Sequence, residues 1–412
     1  MREIAVVVGA GGREHALADG LSRYGAEVWV APGNGGMVQD VKLLPADSPG
    51  AIIQQFPDQH PLVIIGPEAP LAAGWADTLR EAGFRVVGPS KKAAELESQK
   101  RVAKSVMTRY RIPTAEARIT FRPEELHQWI HAEADWPHVM KQSGLAQGKG
   151  VRVVYTREEA LATLREWTER PHIWREGVLW EEYLEGFEVS VQVVTNGRDY
   201  AWFPVAQDYK RLTPDPESPN TGGMGAVAPL RILDATVVEA INERILDPVM
   251  QYLTDEHLTY RGVLYAGLMI TSDGPYVLEF NVRLGDPETQ VIIPIVPVNW
   301  MDFWLALSEG VVPQIPPAQG AAVGIVVAAS GYPDQPKTGL SFTLGEDLDQ
   351  TRIFHAASQM REGRWENTGG RVLTVVGLGN TIGEARERAY ERVRRIQFPL
   401  SYYRPDIGAR WS

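Results

Sequence analysis

Residues 276–290 combine the groups that phosphoryl transfer requires, in the run Y-V-L-E-F-N-V-R-L-G-D-P-E-T-Q. Because side chains alternate on a strand, the pattern predicts Glu279, Asn281 and Arg283 on one face. The apolar face would then hold Tyr276, Leu278, Phe280 and Val282. A carboxylate and an amide oxygen at this spacing can bind Mg²⁺, and the guanidinium can stabilise a phosphoryl group in flight. The alternative is a half-exposed strand with a polar outer face, but the acidic loop that follows favours a site.

A glycine-rich loop, K-Q-S-G-L-A-Q-G-K-G, occupies residues 141–150 after an apolar strand. Its bare backbone amides can close over a triphosphate, and Lys141 and Lys149 can supply positive charge. The loop is not a Walker A motif, because Gly150 is followed by Val151 and Arg152 and not by a helix start. An ordinary turn between two strands is the alternative interpretation.

The first strand, Ile4–Val8, ends in a run of glycines that opens a helix at Glu14. The amides at such a helix start attract anions. The dinucleotide-binding fingerprint fails, however, because Glu14 stands where its third glycine belongs and no acid follows the second strand. These glycines either approach a ligand or serve packing alone.

Two other segments are weaker when taken alone. Residues 179–188, L-W-E-E-Y-L-E-G-F-E, could offer backbone groups to adenine and a carboxylate to ribose, or could form a solvated acidic turn. Residues 207–211, Q-D-Y-K-R, precede the glycine-rich stretch P-N-T-G-G-M-G-A at 219–226. A loop of this length is more often functional than idle, although a flexible surface loop is the alternative.

The elements that would position these groups change along the chain. Residues 1–90 alternate apolar strands with helices, which predicts a parallel sheet covered on both faces. A smaller α+β unit follows at 121–190, and longer strands follow at 191–310. A last unit begins near residue 321 and ends in a helix over 382–395. Its start carries the capping-box spacing at Thr381 and Glu384.

Composition narrows the function classes. The 412 residues carry a formal net charge of −11, which argues against long nucleic acids as partners. The absence of cysteine excludes disulfides, thiolate metal sites and a cysteine nucleophile. The first apolar run is too short for a signal peptide or a membrane span, so a cytoplasmic protein without a membrane partner is expected. Small phosphorylated ligands remain compatible with an acidic protein.

In combination and in this order, these segments resemble the phosphoribosylamine–glycine ligase family of ATP-grasp enzymes. The G-L-A-Q-G-K-G loop, the E-E-Y-L segment and E-F-N-V-R resemble an ATP-grasp core. Similarity to the ligase family itself comes from G-G-R-E-H-A, A-P-G-N, G-P-E-A-P-L, P-N-T-G-G-M-G-A and R-L-G-D-P-E-T-Q. The tail adds F-H-A, G-G-R-V and R-P-D-I-G. The resemblance covers essentially the whole chain.

The resemblance implies an α/β and α+β multidomain fold with four parts. These are a Rossmann-like N-terminal domain (1–120), an ATP-grasp lid (121–190), the main ATP-grasp domain (191–320) and a small C-terminal domain (321–412). It implies that phosphoribosylamine, glycine and ATP give glycinamide ribonucleotide, ADP and phosphate through glycyl phosphate. The expected cofactors are ATP and Mg²⁺ or Mn²⁺. The expected partners are these small molecules, and the expected assembly is a monomer or weak homo-oligomer.

The resemblance also assigns expected roles to residues of this chain. Catalysis falls to Arg283, Asp208 and Lys210, and the metal ligands are Glu279 and Asn281. ATP would be bound by Lys100, Lys141, Gly144, Leu145, Gly148, Lys149, Gly150, Glu181 and Glu188. Glycine and phosphoribosylamine would meet Gly11, Gly12, Arg13, Pro67, Glu68, Thr221, Gly222, Gly223, Gly285 and Asp286.

Some positions depart from the family pattern, and other functions compete. Tyr209 stands where the family usually has His, Ser143 where many members have Asp, and residues 171–177 replace a longer lid segment. One competing function is another ATP-grasp enzyme with a different carboxylate and amine, and another is a nucleotide-binding protein that has lost catalysis. A dinucleotide oxidoreductase is disfavoured by the incomplete glycine fingerprint.

Overall fold

The computed structural model describes residues 3–38, 41–144, 150–215 and 217–412. The described residues form five β-sheets. No helix in this described part of the chain is long and apolar enough to cross a membrane.

The N-terminal sheet is five-stranded and parallel, in the order β3-β2-β1-β4-β5. Val6 and Val8 pack into one core, whereas Ala5 and Val7 pack into another, so both faces are covered as predicted. Its elements, with the two helices that follow, are β1 (Ile4–Gly9), α1 (Gly12–Ser22), β2 (Glu27–Pro32), β3 (Lys42–Leu43), α2 (Pro49–Gln55), β4 (Leu62–Ile65), α3 (Glu68–Ala73), α4 (Trp75–Glu81), β5 (Arg85–Val87), α5 (Glu95–Ser98) and α6 (Lys100–Arg109).

A smaller antiparallel sheet, here called the lid sheet, has the order β6-β9-β7-β8. Its own apolar core is built around Trp167, Met140 and Trp180, all buried. The segment that departs from the family pattern forms a short helix that ends at Glu176, with Gly177 as its C-cap. The elements are β6 (Ala117–Thr120), α7 (Pro123–Ala132), β7 (His138–Gln142), β8 (Val151–Val154), α8 (Arg157–Thr168), α9 (Pro171–Glu176) and β9 (Val178–Glu182).

The central sheet is antiparallel, in the order β11-β10-β14-β15. The chain leaves it once to make β12 and β13, and a π-helical turn at Asn242–Leu246 joins two helices. The elements are β10 (Phe187–Thr195), β11 (Tyr200–Trp202), β12 (Gln207–Asp208), β13 (Gly225–Ala228), α10 (Ala235–Ile241), α11 (Asp247–Asp255), β14 (Gly262–Thr271), β15 (Gly274–Asn281), α12 (Glu288–Ile292) and α13 (Trp300–Ser308).

The C-terminal sheet has the order β12-β13-β16-β21-β18, so it takes two strands from the middle of the chain. The strands of a three-stranded sheet, β17-β20-β19, lie between β16 and β21 in the chain. Thr381 caps the last helix, as predicted, by accepting a hydrogen bond from the Glu384 amide. The elements are β16 (Ala321–Ala328), β17 (Ser341–Phe342), β18 (Thr351–His355), β19 (Ser358–Arg361), β20 (Arg364–Asn367), β21 (Arg371–Gly379), α14 (Ile382–Arg394) and a 3₁₀ turn at Ala409–Trp411.

Strand β15 departs from simple alternation. Glu279 pairs with Gly267, but the next partner, Leu268, pairs with Val277, so Leu278 is an extra residue in the ladder. Val277 and Phe280 therefore both lie in the core. The prediction that Tyr276 and Leu278 share the face of Phe280 is wrong, because an irregularity of this kind reverses the alternation on one side of it.

Candidate active site

A cavity of about 910 Å³ lies where loops of the N-terminal sheet meet the lid, central and C-terminal sheets. Most of the expected site residues line it, although they are far apart in sequence. Those that do are Gly11, Arg13, Pro67, Glu68, Lys100, Lys141, Gly150, Glu181, Glu188, Asp208, Lys210, Thr221, Gly222, Glu279, Asn281, Arg283, Gly285 and Asp286.

Three expected glycines do not line the cavity. Gly12 starts α1 and packs against Gln290, and the Gly144 carbonyl accepts a hydrogen bond from Lys100 Nζ at 3.3 Å. Gly223 has a φ of +108°, and a Cβ there would lie 2.6 Å from Asp208 Oδ1. It is therefore a glycine that lets Asp208 pack closely against the backbone behind the cavity wall. The expected residues Leu145, Gly148 and Lys149 lie outside the described residues.

At the lid-sheet end, Glu181 lies between two lysines; this trio is called the nucleotide cluster. Lys141 Nζ lies 2.7 Å from Glu181 Oε2, and Lys104 Nζ lies 3.3 Å from Oε1. Lys141 also donates to the Leu278 carbonyl at 3.2 Å, which links the lid sheet to β15. Burial lowers the pKa of Lys104 to about 8, although the nearby Glu181 opposes that shift. Two ammonium groups and one carboxylate leave this end a net charge of +1.

Lys100 lies beside this cluster at the start of α6. Burial lowers its pKa, with Lys141 contributing and Glu279 opposing. Its backbone amide donates to the Ser143 carbonyl at 2.9 Å, so the start of the helix is fixed to the start of the glycine-rich loop. A phosphate group at this point would meet positive charge from two different elements.

Arg283 lies between two carboxylates from the N-terminal part of the chain; Arg283, Glu97 and Glu68 are called the arginine cluster. Its Nη2 lies 2.8 Å from Glu97 Oε1, and its Nε lies 3.5 Å from Glu68 Oε2. Glu97 Oε2 also accepts the Val282 amide at 2.8 Å. Burial raises the pKa of Glu97, and Arg283 opposes that rise. The same arginine donates to Asn281 Oδ1 at 3.1 Å.

Glu279 and Lys210 form a half-buried ion pair, with Lys210 Nζ 3.2 Å from Glu279 Oε1. Lys210 lowers the pKa of Glu279 to about 2, so the carboxylate is ionised. Burial alone would lower the pKa of Lys210, but Glu279 and other neighbours outweigh it and hold that pKa well above its usual range. Asp208 differs, because its Oδ1 is buried without a hydrogen-bond partner among the described residues. Burial and Glu288 raise the pKa of Asp208 well above its usual range.

A fourth charged group, around Arg371 and Asp286, closes the end near the C-terminal sheet. Arg371 Nη2 lies 3.2 Å from Asp286 Oδ2, and its Nη1 bonds the carbonyls of Gly222 and Asp286. Burial alone would raise the pKa of Asp286, but Arg371 and Arg13 hold it below its usual value. Arg13 in turn donates to the Leu284 carbonyl at 3.1 Å. Residues of α1, β21 and the stretch 219–226 therefore come together at the loop after β15.

The side chains of Glu279 and Asn281 have the donor chemistry that Mg²⁺ or Mn²⁺ requires. Both residues line the cavity, and the ionised Glu279 supplies charge. Among the described residues, no group of three or more acidic or histidine side chains is arranged so that it could hold a metal ion. Two protein oxygens fit a cation that takes its other ligands from substrate phosphates and water, which is the usual arrangement for Mg²⁺.

Three residues of the site were missed by sequence reasoning: Lys104, Glu97 and Arg371. Lys104 follows Lys100 by four positions, so it shares a helix face with it, and that spacing was a usable signal. Arg371 belongs to the G-G-R-V motif of the tail. Glu97 had no such signal, because an acid in a short helix is ordinary until the fold brings Arg283 to it.

Family models and named relatives show which family the chain belongs to. Three family models match in order: the N domain of phosphoribosylglycinamide synthetase over residues 3–97, its ATP-grasp (A) domain over 98–289, and its C domain over 322–410. Phosphoribosylamine–glycine ligase from Halalkalibacterium halodurans is 39% identical over 98% of this chain and 96% of its own length.

Solved structures give the same result. The crystal structure of phosphoribosylamine–glycine ligase from Thermotoga maritima has a TM-score of 0.87 and 35% identity, over 98% of this chain and 100% of that one. The biotin carboxylase domain of 2-oxoglutarate carboxylase from Hydrogenobacter thermophilus has a TM-score of 0.73 at 17% identity, over 98% and 92%, and shares the fold alone. The chain belongs to the phosphoribosylamine–glycine ligase family, with an ATP-grasp fold at its centre.

Proposed function

We propose that this chain ligates glycine to 5-phosphoribosylamine at the expense of ATP, giving glycinamide ribonucleotide, ADP and phosphate. The observation that carries the proposal is the convergence of three groups in one cavity: the lysines Lys100 and Lys141, the oxygen pair Glu279 and Asn281, and Arg283. Full-length similarity to named ligases supports the choice of substrates.

ATP lies, in this proposal, with its phosphates toward the nucleotide cluster. Lys100 and Lys141 bind phosphate oxygens, and Gly150 with the loop before it covers the triphosphate. Glu181 and Glu188 border the adenosine part. The net positive charge of the nucleotide cluster favours the polyphosphate over neutral ligands.

The proposed reaction proceeds in two steps. A glycine carboxylate oxygen attacks the γ-phosphorus, the bond to the β-phosphate oxygen breaks, and ADP leaves with glycyl phosphate formed. The phosphoribosylamine nitrogen then attacks the glycyl carbonyl carbon, phosphate leaves, and the amine loses a proton. Arg283 stabilises the charge that develops in both steps, because its ion pairs with Glu97 and Glu68 hold it in a preorganised position.

The remaining residues bind and orient the two smaller substrates. Asp208, with its unpartnered Oδ1, is placed to accept the proton that the amine loses. Lys210 binds the carboxylate of the glycine substrate. Residues that close around phosphoribosylamine are Gly11, Arg13, Pro67, Glu68, Thr221, Gly222, Gly285 and Asp286. Mg²⁺ or Mn²⁺ held by Glu279 and Asn281 supplies charge neutralisation at the phosphates.

The direct test measures ADP release with Mg²⁺-ATP, glycine and freshly generated phosphoribosylamine, each omitted in turn. ADP formation that requires both glycine and the amine, with glycinamide ribonucleotide detected by mass, is the expected result. ATP binding without such turnover would contradict the proposal and would favour a different carboxylate and amine, or a binding protein.

We also propose that the protein acts in the cytoplasm as a monomer or weak homo-oligomer, on small molecules and not on nucleic acid or membrane surfaces. The net charge of −11 supports the absence of a nucleic-acid partner. Light scattering across a concentration series should give a mass near 45.7 kDa at the lowest concentration. A constant larger mass would contradict the proposed assembly.

A further inference from the structure

The C-terminal segment 404–411 lies against the strand segment that carries Asp208 and Lys210. Trp411 Nε1 donates to Gln207 Oε1 at 2.8 Å, and the Gly408 amide donates to the Tyr209 hydroxyl at 3.0 Å. These contacts join the end of the chain to the wall of the cavity.

Arg404 adds two further contacts to the same segment. Its Nη1 donates to the Arg211 carbonyl at 3.0 Å, and its guanidinium carbon lies 5.1 Å from the centroid of the Tyr209 ring. Asp406 holds that guanidinium with two bonds, of 2.9 and 2.6 Å, so its orientation is fixed.

The contacts follow the alternation of an extended chain. The C-terminal segment bonds the side chains of Gln207 and Tyr209 and the backbone carbonyl of Arg211, which are every second residue. The residues between them are Asp208 and Lys210, whose ionisable side chains line the cavity. An extended chain places such neighbours on opposite sides. Holding the alternate residues in place therefore fixes the direction in which Asp208 and Lys210 point.

The C-terminal segment is itself anchored firmly enough to act as a support. Ile407 is fully buried, and its amide donates to the Tyr390 hydroxyl at 2.9 Å. Tyr390 donates to the Arg404 carbonyl at 2.6 Å, and Arg386 Nε donates to the Ile407 carbonyl at 3.0 Å. Both Tyr390 and Arg386 belong to α14, so the segment rests on a regular helix.

The strand needs such support. β12 has only two residues and lies at the edge of the C-terminal sheet, where β13 is its only partner strand among the described residues. Edge strands of this length are the less stable parts of a sheet. Misplacing a reacting group by about 1 Å can cost roughly 100-fold in rate, so small movements of this strand matter.

We propose that residues 404–411 are a positioning element, which fixes the orientation of Asp208 and Lys210 by binding the alternate residues of their strand. The proposal rests on the proposed ligase function for its effect on rate. It assigns positioning roles to Tyr209, Arg404, Gly408 and Trp411, and a role to the R-P-D-I-G motif of the tail.

The test uses the full-length chain with Trp411→Phe and Tyr209→Phe, singly and together. Each change removes one hydrogen bond and keeps an aromatic ring in place. The matched control is Ser412→Ala, because the Ser412 hydroxyl bonds only the Gly408 carbonyl within the tail. We measure hydrogen exchange of the amides at 207–211, kcat, the KM for each substrate and the unfolding midpoint.

Faster exchange at 207–211 and a kcat lowered about tenfold in the double variant would support the proposal. The KM for ATP and the unfolding midpoint should stay close to those of the wild type, because the nucleotide cluster is not touched. A double-mutant cycle with Gln207→Ala should show that Trp411→Phe adds nothing further, since both variants lack the bond between Trp411 and Gln207.

Unchanged exchange at 207–211 in the double variant would overturn the anchoring. Faster exchange with wild-type kcat would overturn the positioning role. If the wild-type chain itself shows no ligase turnover, the proposed function fails, and the exchange result still decides whether the tail holds the strand.

Discussion

At the lid end of the cavity one carboxylate, Glu181, lies between two ammonium groups, whereas at the opposite end one guanidinium, Arg283, lies between two carboxylates. The nucleotide cluster carries a net charge of +1, and the arginine cluster carries −1 when all its groups are ionised. Both are largely buried, so their charges are weakly screened.

The difference indicates a division of labour. A cluster with excess positive charge attracts a polyphosphate in the ground state and so contributes mainly to binding. A single cation balanced by two acids attracts anions less before reaction and is held rigidly by its partners. Such a group contributes mostly to the transition state, where charge develops next to it. Changes at the two ends should therefore affect different kinetic constants.

The largest effect is expected from Arg283→Ala. Loss of the charge that stabilises the transition state should lower kcat by roughly 100- to 1000-fold, with a much smaller change in the KM for ATP. Steady-state ADP release measures both. Because Glu97 loses its partner, the unfolding midpoint should also fall, although the fold should be kept.

Arg283→Lys is the matched control, since it keeps the charge and loses the second guanidinium contact. It should recover part of the rate. A folded Arg283→Ala protein with wild-type kcat would remove Arg283 from the chemistry and end the proposed division of labour.

At the nucleotide cluster, Lys141→Met should raise the KM for ATP by about 10- to 100-fold, because a charge-assisted hydrogen bond contributes about 1.5–3 kcal/mol. kcat at saturating ATP should change much less. ATP titration by calorimetry, beside the kinetics, separates the two. A kcat loss as large as that of Arg283→Ala would show that the two ends do not divide binding from chemistry.

Asn281→Leu tests whether the oxygen pair on β15 binds the cation. Loss of one oxygen donor should raise the Mg²⁺ concentration for half-maximal activity by about tenfold. The titration is run at a fixed ATP concentration. Gln192→Leu is the control, because it also removes a buried amide, but one that accepts a hydrogen bond from the Gly285 amide and is not an expected metal ligand. An unchanged Mg²⁺ titration would remove Asn281 from the metal site.

The smallest effect is a pH dependence from Lys104, whose pKa is about 8 against an ordinary 10.5. As pH rises through about 8 the folded protein loses this proton, the nucleotide cluster loses its net positive charge, and ATP affinity should fall about two- to fivefold. Between about pH 8 and 10.5 the unfolded chain binds more protons than the folded chain, so Lys104 makes stability rise with pH.

Lys104→Met should weaken both trends, and Lys100, whose pKa is also lowered by burial, should account for what is left. The variant is compared with wild type by ATP titration and thermal unfolding at pH 7 and pH 9. Equal pH dependence in the two proteins would show that Lys104 does not titrate in this range.

Local patterns predicted much of the fold. The apolar strands of the N-terminal sheet and the capped helix after Thr381 lie where the sequence places them, since each depends on neighbours in the chain. Strand β15 was predicted in the right place with the wrong alternation. The extra residue at Leu278 depends on pairing with β14, which no local pattern contains.

The sequence by itself determined the order of motifs, the acidic balance and the residue types at the cavity wall, because these are properties of the chain and its local geometry. The tertiary structure alone decided that Glu97 and Glu68 hold Arg283, that Glu181 lies between two lysines, and that the tail reaches the strand of Asp208. Such contacts join residues up to about 200 positions apart, as between Gln207 and Trp411. Only packing of separate sheets can bring them together, because no repeat or spacing in the sequence records that distance.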